Sequence, residues 1–347
     1  MLDLAIIADD LTGALDAAAP FAGRGIGTAV ALNAGAISQA LATGARILSV
    51  STDSREVSPG EATRAVGEVL ARLPVGTPLF KKIDSRVKGN IAAELEALDF
   101  QSCLVVPAIP AFGRVTRGGR LEGFGVAEPI DIAARLGPHA DRTTIPDIAT
   151  QGDIEQFLDA HFDLLVGARS LAEAVATRMA PGAAQPAPDV GGGIAFCLIG
   201  STDPITLEQL EHLRRSGAPS SILAPNGGGP KTLPALSDLN IIQAVPGPEQ
   251  VPGSTVAASL AQTLQRLAPP PGSLLVLSGG ATAQVILEAL GIDVLTLLGE
   301  AQPGLPMAEG GGLTVITKSG GFGDPNCLAR LLAPYVNIES QMNAHVG

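Results

Sequence analysis

The chain has no tryptophan and one tyrosine, and its 9 phenylalanines leave aromatic residues at only 3%. That scarcity argues against a protein that binds nucleic acid by stacking bases on exposed rings. Cysteine is sparse too: Cys103, Cys197 and Cys327 are odd in number and far apart. They form neither a disulfide framework nor a CxxC knuckle, which favours a reducing, cytoplasmic compartment. The histidines, His139, His161, His212 and His345, show no metal-ligand spacing. The first residues lack a basic region, so no signal peptide is expected. Long apolar runs are missing as well. The longest uncharged stretch lies between Arg266 and Glu288 and contains three consecutive prolines, so no membrane span is expected.

What is present is a chain of 347 residues, enough for two domains with their own cores. Hydrophobic residues reach 46%, which rules out disorder of the whole chain. The 42 glycines and 27 prolines have no triplet period and signal many turns and backbone-built loops. A net charge of −12 argues against a general binder of phosphate backbones. The charge is uneven, however. Lys81, Lys82, Arg86, Lys88, Arg114, Arg117 and Arg120 outnumber the acidic residues of the same stretch (Asp84, Glu94, Glu96, Asp99). A basic island in an acidic chain reads either as a solvated face or as a site for a small anion.

Short apolar strands alternate with Ala/Leu-rich helices through polar or glycine turns, the pattern of an α/β protein with mainly parallel sheets. In the first half, strands are expected at 4–8, 47–50, 79–83 and 103–106. Ser58-Pro59-Gly60-Glu61 reads as a capping box with proline at the first helical position. Asn90 is expected to cap a helix over 91–98. Residues 180–193, almost all Ala, Gly and Pro, read as a linker. Beyond it, strands near 194–199, 274–277 and 314–317 each lead through a turn into a helix. The expected domains are 1–182 and 193–347, with no internal sequence repeat.

Ligands of open α/β sheets bind beyond the carboxyl ends of strands. Asp9-Asp10-Leu11-Thr12-Gly13 follows the first strand with two carboxylates and a hydroxyl, a set that accepts a hydroxyl proton, holds a metal, or caps a helix. Lys81-Lys82-Ile83-Asp84-Ser85-Arg86-Val87-Lys88-Gly89-Asn90 combines cations able to clamp a carboxylate or phosphate with the start of a helix. Ala111-Phe112-Gly113-Arg114 supplies a third turn. The second half offers three backbone cradles for phosphate: Gly200-Ser201-Thr202, Ser278-Gly279-Gly280-Ala281-Thr282 and Lys318-Ser319-Gly320-Gly321-Phe322-Gly323. None is a Walker A loop; Gly227-Gly228-Gly229-Pro230-Lys231-Thr232 has proline where that motif needs glycine.

In motif order these residues resemble the four-carbon acid sugar kinase family, over nearly the whole chain. The resemblance rests on Ala8-Asp9-Asp10-Leu11-Thr12-Gly13-Ala14, Lys81-Lys82-Ile83-Asp84-Ser85, Pro107-Ala108-Ile109-Pro110 with Gly113-Arg114, Gly200-Ser201, the 278–283 segment, Pro303-Gly304-Leu305-Pro306 and the 318–323 loop. The chain departs from the usual pattern at Arg86-Val87-Lys88, where Thr-Leu-Arg is usual. It also departs at Ala281, usually Glu, and at Gly167-Ala168-Arg169-Ser170-Leu171-Ala172.

The resemblance implies two α/β domains, an N-terminal one for the acid sugar and a C-terminal one for ATP, with the active site in the cleft between them. It implies transfer of the γ-phosphoryl group of ATP to a threonate-, erythronate- or 3-oxo-tetronate-like acid, with Mg2+ expected from the chemistry and its ligands unassigned. On this reading Lys82, Arg86, Lys88 and Arg114, with Thr12 and Asn90, bind the acid, and Asp10 or Asp84 is the base, with Asp9 as the alternative. Ser201, Ser278, Gly279, Gly280, Ala281, Thr282, Lys318, Ser319, Gly320 and Gly321 hold ATP. No nucleic-acid or membrane partner is expected, and a homodimer is left open. The rivals are a non-catalytic sensor of sugar acid or nucleotide, suggested by the departures, and a dinucleotide-dependent oxidoreductase, which the missing GxGxxG disfavours.

Overall fold

A computed structural model describes residues 2–182 and 184–336. Contacts divide them into two compact units, one running to Pro186 and including Val294–Leu297, the other comprising Ala187–Asp293 and the residues from Leu298 onward.

The first unit is built on a parallel sheet in the order Thr28–Ala31, Ile47–Ser51, Leu4–Ala8, Leu79–Lys82, Leu164–Gly167, Cys103–Val106, Thr143–Thr144. Val294–Thr296 adds an antiparallel edge beside Thr28–Ala31. The central strand Leu4–Ala8 is apolar throughout and buried at every position, as a strand covered on both faces must be. Helix Leu11–Ala22 lies on it through small residues; Ala14, Ala17 and Ala18 are fully buried. Arg114–Arg117, Arg120–Gly123 and Ile130–Asp131 form a separate antiparallel sheet. The sequence suggests only a turn there, at 111–114. The capping box forms as expected, with Glu61 reaching back to Ser58 ahead of helix Pro59–Leu70. The reading of Asn90 is corrected: its side chain makes no capping bond, and the helix runs only over Ile91–Glu96.

The second unit orders its parallel strands Ile222–Pro225, Leu239–Val245, Ala195–Ile199, Leu274–Ser278, Leu313–Lys318, followed by Leu305–Gly310 antiparallel and then the strand residues from Leu298 onward. Helix Cys327–Val336 buries Cys327, Leu328, Leu331, Leu332 and Tyr335, a helical stripe facing the core.

In both units the first strand of the sheet is joined to the strand two places away on one side. The chain then returns to the adjacent strand before crossing to the other side. This creates a topological switch point, beside Leu4–Ala8 in one unit and Ala195–Ile199 in the other, where open α/β sheets bind ligands.

Candidate active site

Strand register assembles the first half of the site. Ala8 is level with both Ser51 and Lys82, so the segments that leave these three strands emerge side by side. Asp10 caps helix Leu11–Ala22: its Oδ1 accepts from the Gly13 amide at 2.7 Å and its Oδ2 from Thr12 Oγ1 at 2.9 Å. Arg55, which the sequence reading missed, reaches in from beyond Ile47–Ser51. Its Nε and Nη2 donate to the two oxygens of Asp9, each at 2.8 Å, and its Nη1 donates to Asp10 Oδ2 at 2.6 Å. Asp9 is buried. Burial pushes its carboxyl up, but the Arg55 hydrogen bonds and the charges of Lys81, Arg55 and Lys82 more than reverse this and leave it below the ordinary carboxylate range.

The two lysines leave their strand on opposite faces. Lys82 Nζ lies beside Gly13 and donates to the Ile83 carbonyl at 3.0 Å. Lys81 is wholly buried and pairs with Glu94 at 3.0 Å, so its charge is neutralised inside the fold. Ser54 Oγ donates to the other oxygen of Glu94. Asp84 Oδ1 accepts the Arg86 amide at 2.8 Å, and the Arg86 and Lys88 side chains are exposed. Arg114 is buried. It donates to Ser85 Oγ at 2.6 Å and twice to the Phe124 carbonyl, and burial followed by the charge of Arg86 holds its pKa below the usual guanidinium value. The Asn90 amide donates to the carbonyls of Ser54 and Val57, which ties down the segment carrying Arg55.

The second half is built the same way. Ser278 is level with both Ile199 and Lys318, which brings the three glycine turns together. The Gly200 amide donates to the Ser278 carbonyl at 3.2 Å, and the Gly279 amide to the Lys318 carbonyl at 2.9 Å. A Cβ on Gly200 would stand 2.3 Å from Thr282 Oγ1, and one on Gly320 would stand 2.4 Å from Ser201 Oγ. The side chains of Thr282 and Ser201 therefore fill the space a Cβ would need at Gly200 and Gly320. The side chain of Ser278 is fully buried and its Oγ has no hydrogen-bond partner, whereas Ala281 is exposed on the first turn of helix Gly280–Ala289. Lys318 is buried, and its amine donates to Thr206 Oγ1 at 2.9 Å and to the carbonyls of Ser319 and Gly320, each at 3.0 Å.

Comparison with known proteins follows this division. Residues 4–131 match the sugar-binding N-terminal domain family, and 222–328 match the nucleotide-binding C-terminal domain family. A D-threonate kinase of Cupriavidus necator is 31% identical over 93% of this chain and 95% of its own length. The chain belongs to the four-carbon acid sugar kinase family. A D-erythronate kinase of Heliobacterium modesticaldum is 37% identical over 43% of this chain and 36% of its own length. Among solved structures, a Salmonella typhimurium LT2 protein, described provisionally as a tRNA synthase, superposes with a TM-score of 0.72. It is 19% identical and covers 96% of this chain and 99% of its own, so the likeness shows the fold alone.

Arg55 and Glu94 are the parts of this candidate site that sequence reasoning passed over. Arg55 follows a strand in the polar run Ser51-Thr52-Asp53-Ser54, so the rule that exposed Asp9 and Lys82 could have found it. Glu94 offered no such signal, because on a helix it reads as an ordinary surface carboxylate.

Proposed function

We propose that this chain is an ATP-dependent kinase that transfers the γ-phosphoryl group to the terminal hydroxyl of a small sugar acid of the threonate, erythronate or 3-oxo-tetronate class. The observation that carries the reading is the pair of switch points, one lined by carboxylates and cations, the other by three abutting glycine turns. Phosphoryl transfer asks a protein for positioning and charge neutralisation, which these two linings supply. The reading assigns acid-sugar binding to 1–182 and nucleotide binding to 193–347.

Asp10 is the base. It takes the proton of the attacking hydroxyl as that oxygen bonds to the γ-phosphorus and ADP leaves. Asp9, with both oxygens engaged by Arg55, and Asp84, turned towards its own loop, are weaker candidates. The exposed Arg86 and Lys88, with Lys82 and Arg114, receive the substrate carboxylate. Thr12 and Asn90 flank them. Ser201, Ser278, Thr282 and the backbone amides of 280–281 and 319–321 receive the phosphates of ATP, with Gly279 shaping the turn through its bond to the Lys318 carbonyl. With so few aromatics, adenine rests on aliphatic side chains.

Among the described residues no trio of His, Cys, Asp or Glu is grouped to hold a metal. A Mg2+ ion carried by nucleotide needs only one or two protein carboxylates. Asp203 fits: its Oδ1 accepts the Ile205 amide, and its Oδ2 lies 3.2 Å from where a Cβ on Gly321 would stand. When bound there, the ion would neutralise phosphate charge. Three buried free thiols and the lack, among the described residues, of a helix able to cross a membrane accord with a reducing cytoplasmic setting.

The test couples ADP release to a panel of four-carbon sugar acids with ATP and Mg2+. Turnover on at least one acid is expected. Firm ATP binding with no turnover on any acid would favour the sensor reading instead.

A further inference from the structure

We propose that Arg55 is a positioning residue for phosphoryl transfer: it lashes the Asp10 carboxylate to the buried Asp9 and thereby orients Asp10 as the proton acceptor. The inference rests on the kinase reading and adds a residue to it.

The hydrogen-bond count is the first argument. Arg55 presents a flat fork to Asp9, with Nε and Nη2 on its two oxygens, and its Nη1 is left to reach Asp10. A carboxylate offers about four lone-pair sites. On Asp10, Oδ2 takes Thr12 and Arg55, while Oδ1 takes the Gly13 amide. The remaining site on Oδ1 is where a substrate hydroxyl can donate. Rotating Asp10 to any other orientation breaks at least one of three fixed bonds.

The second argument is that Arg55 is itself held from several sides. The Ser54 amide donates to the Asp9 carbonyl at 3.0 Å, and the Asn90 amide donates to the carbonyls of Ser54 and Val57 at 2.9 and 2.8 Å. Ser54 Oγ donates to Glu94, which pairs with Lys81 beneath. Gly89 closes over the assembly with φ +90°; a Cβ there would stand 3.0 Å from Asp9 Oδ2 and 3.5 Å from Arg55 Cγ. Three of the five N–H donors of Arg55 are committed to the two carboxylates, so withdrawing the fork towards a substrate would break charge-assisted bonds and leave Asp9 buried with less compensation.

Removing Arg55 leaves two neighbouring carboxylates whose remaining counter-charges are Lys82 and Lys81, and Lys81 is already paired with Glu94. Asp84 adds a further negative charge nearby. Like charges this close do not both ionise easily, so one of the pair takes up a proton at higher pH than before. Where Asp10 is the one that takes the proton, the base is lost at pH values at which the wild type keeps it.

The experiment measures kcat and KM for the acid and for ATP across pH in the wild type, Arg55→Ala and Arg55→Lys. Arg55→Ala is expected to lower kcat about 100-fold and to change both KM values by less than about threefold. The acid limb of its kcat profile should move to higher pH, and added guanidinium at non-denaturing concentration should restore part of the lost rate. Arg55→Lys, which keeps the charge but cannot fork, should fall between and decides the matter if the alanine variant does not fold. A raised KM for the acid with kcat intact would make Arg55 a substrate ligand and overturn the proposal. So would a lower kcat with an unmoved acid limb and no rescue. Wild-type turnover in the same assay keeps the two failures apart: none on any acid overturns the kinase reading, whereas turnover with either pattern above overturns only the role of Arg55.

Discussion

Lys318 shows how a residue beside a proposed phosphate cradle can act from beneath it. Its amine holds Thr206 and two carbonyls of its own loop, so the amides of that loop are free to face outward. Burial pulls its pKa down to about 8, against the weaker upward pull of Cys327, Asp203 and Cys197. Unfolded lysine titrates near 10.5, so between pH 8 and 10.5 the unfolded chain binds more protons than the folded one. Burying this charge is therefore a cost that is largest below pH 8 and fades as pH rises. Function runs the other way: a neutral amine has two hydrogens for three acceptors, and the loop slackens. The KM for ATP should rise between pH 7 and 9 in the wild type, and Lys318→Met should flatten that dependence while raising KM throughout. At the other half-site, Asp10→Asn should lower kcat by about 10²–10⁴, and Asp84→Asn by far less. Steady-state kinetics on the same acid checks both.

The strand-turn-helix unit is the element that both half-sites repeat, and its packing sets how firmly each turn is held. Helix Cys327–Val336 follows the Lys318 turn and covers the sheet through Leu328, Leu331 and Leu332. Leu331→Ala should cost roughly 2–5 kcal/mol, because the cavity beneath a helix closes only in part; urea unfolding measures it. Gly320→Ala acts differently, since its Cβ would meet Ser201 Oγ at 2.4 Å and turn that hydroxyl from its place in the cradle. ATP affinity, followed by calorimetric titration, should fall while the urea midpoint moves little. These turns were legible from sequence because glycine and hydroxyl residues sit between an apolar strand and a helix. Thr28–Ala31 was not, because four residues, two of them alanine, are too few to show a strand period. The hairpin of Arg114–Arg117 and Arg120–Gly123 was also missed, because alternation over so few residues is a faint signal.

At the scale of the whole molecule, the same arrangement of the first four strands serves both units, although no sequence repeat announces it. Each unit carries its own ligand lining, so each ligand should stabilise the protein by itself. ATP at 100 times its Kd should add about 2.7 kcal/mol to the unfolding free energy, and a substrate acid at the same multiple should add about as much. Scanning calorimetry with each ligand separately checks this. The sequence alone determined the α/β class, the acidic chain with its basic stretch, and the turns that carry Asp9, Asp10, Lys82, Ser201, Ser278 and Lys318. These follow from local composition and period, which need no knowledge of distant residues. Only the tertiary structure decided which turns stand side by side, because parallel register is set by strands that lie far apart in the chain. It also turned Lys81 from one of the cations able to clamp an anion into the partner of Glu94 and set Arg55 between two carboxylates. An ion pair between residues 46 positions apart leaves no mark on the segment that holds either partner.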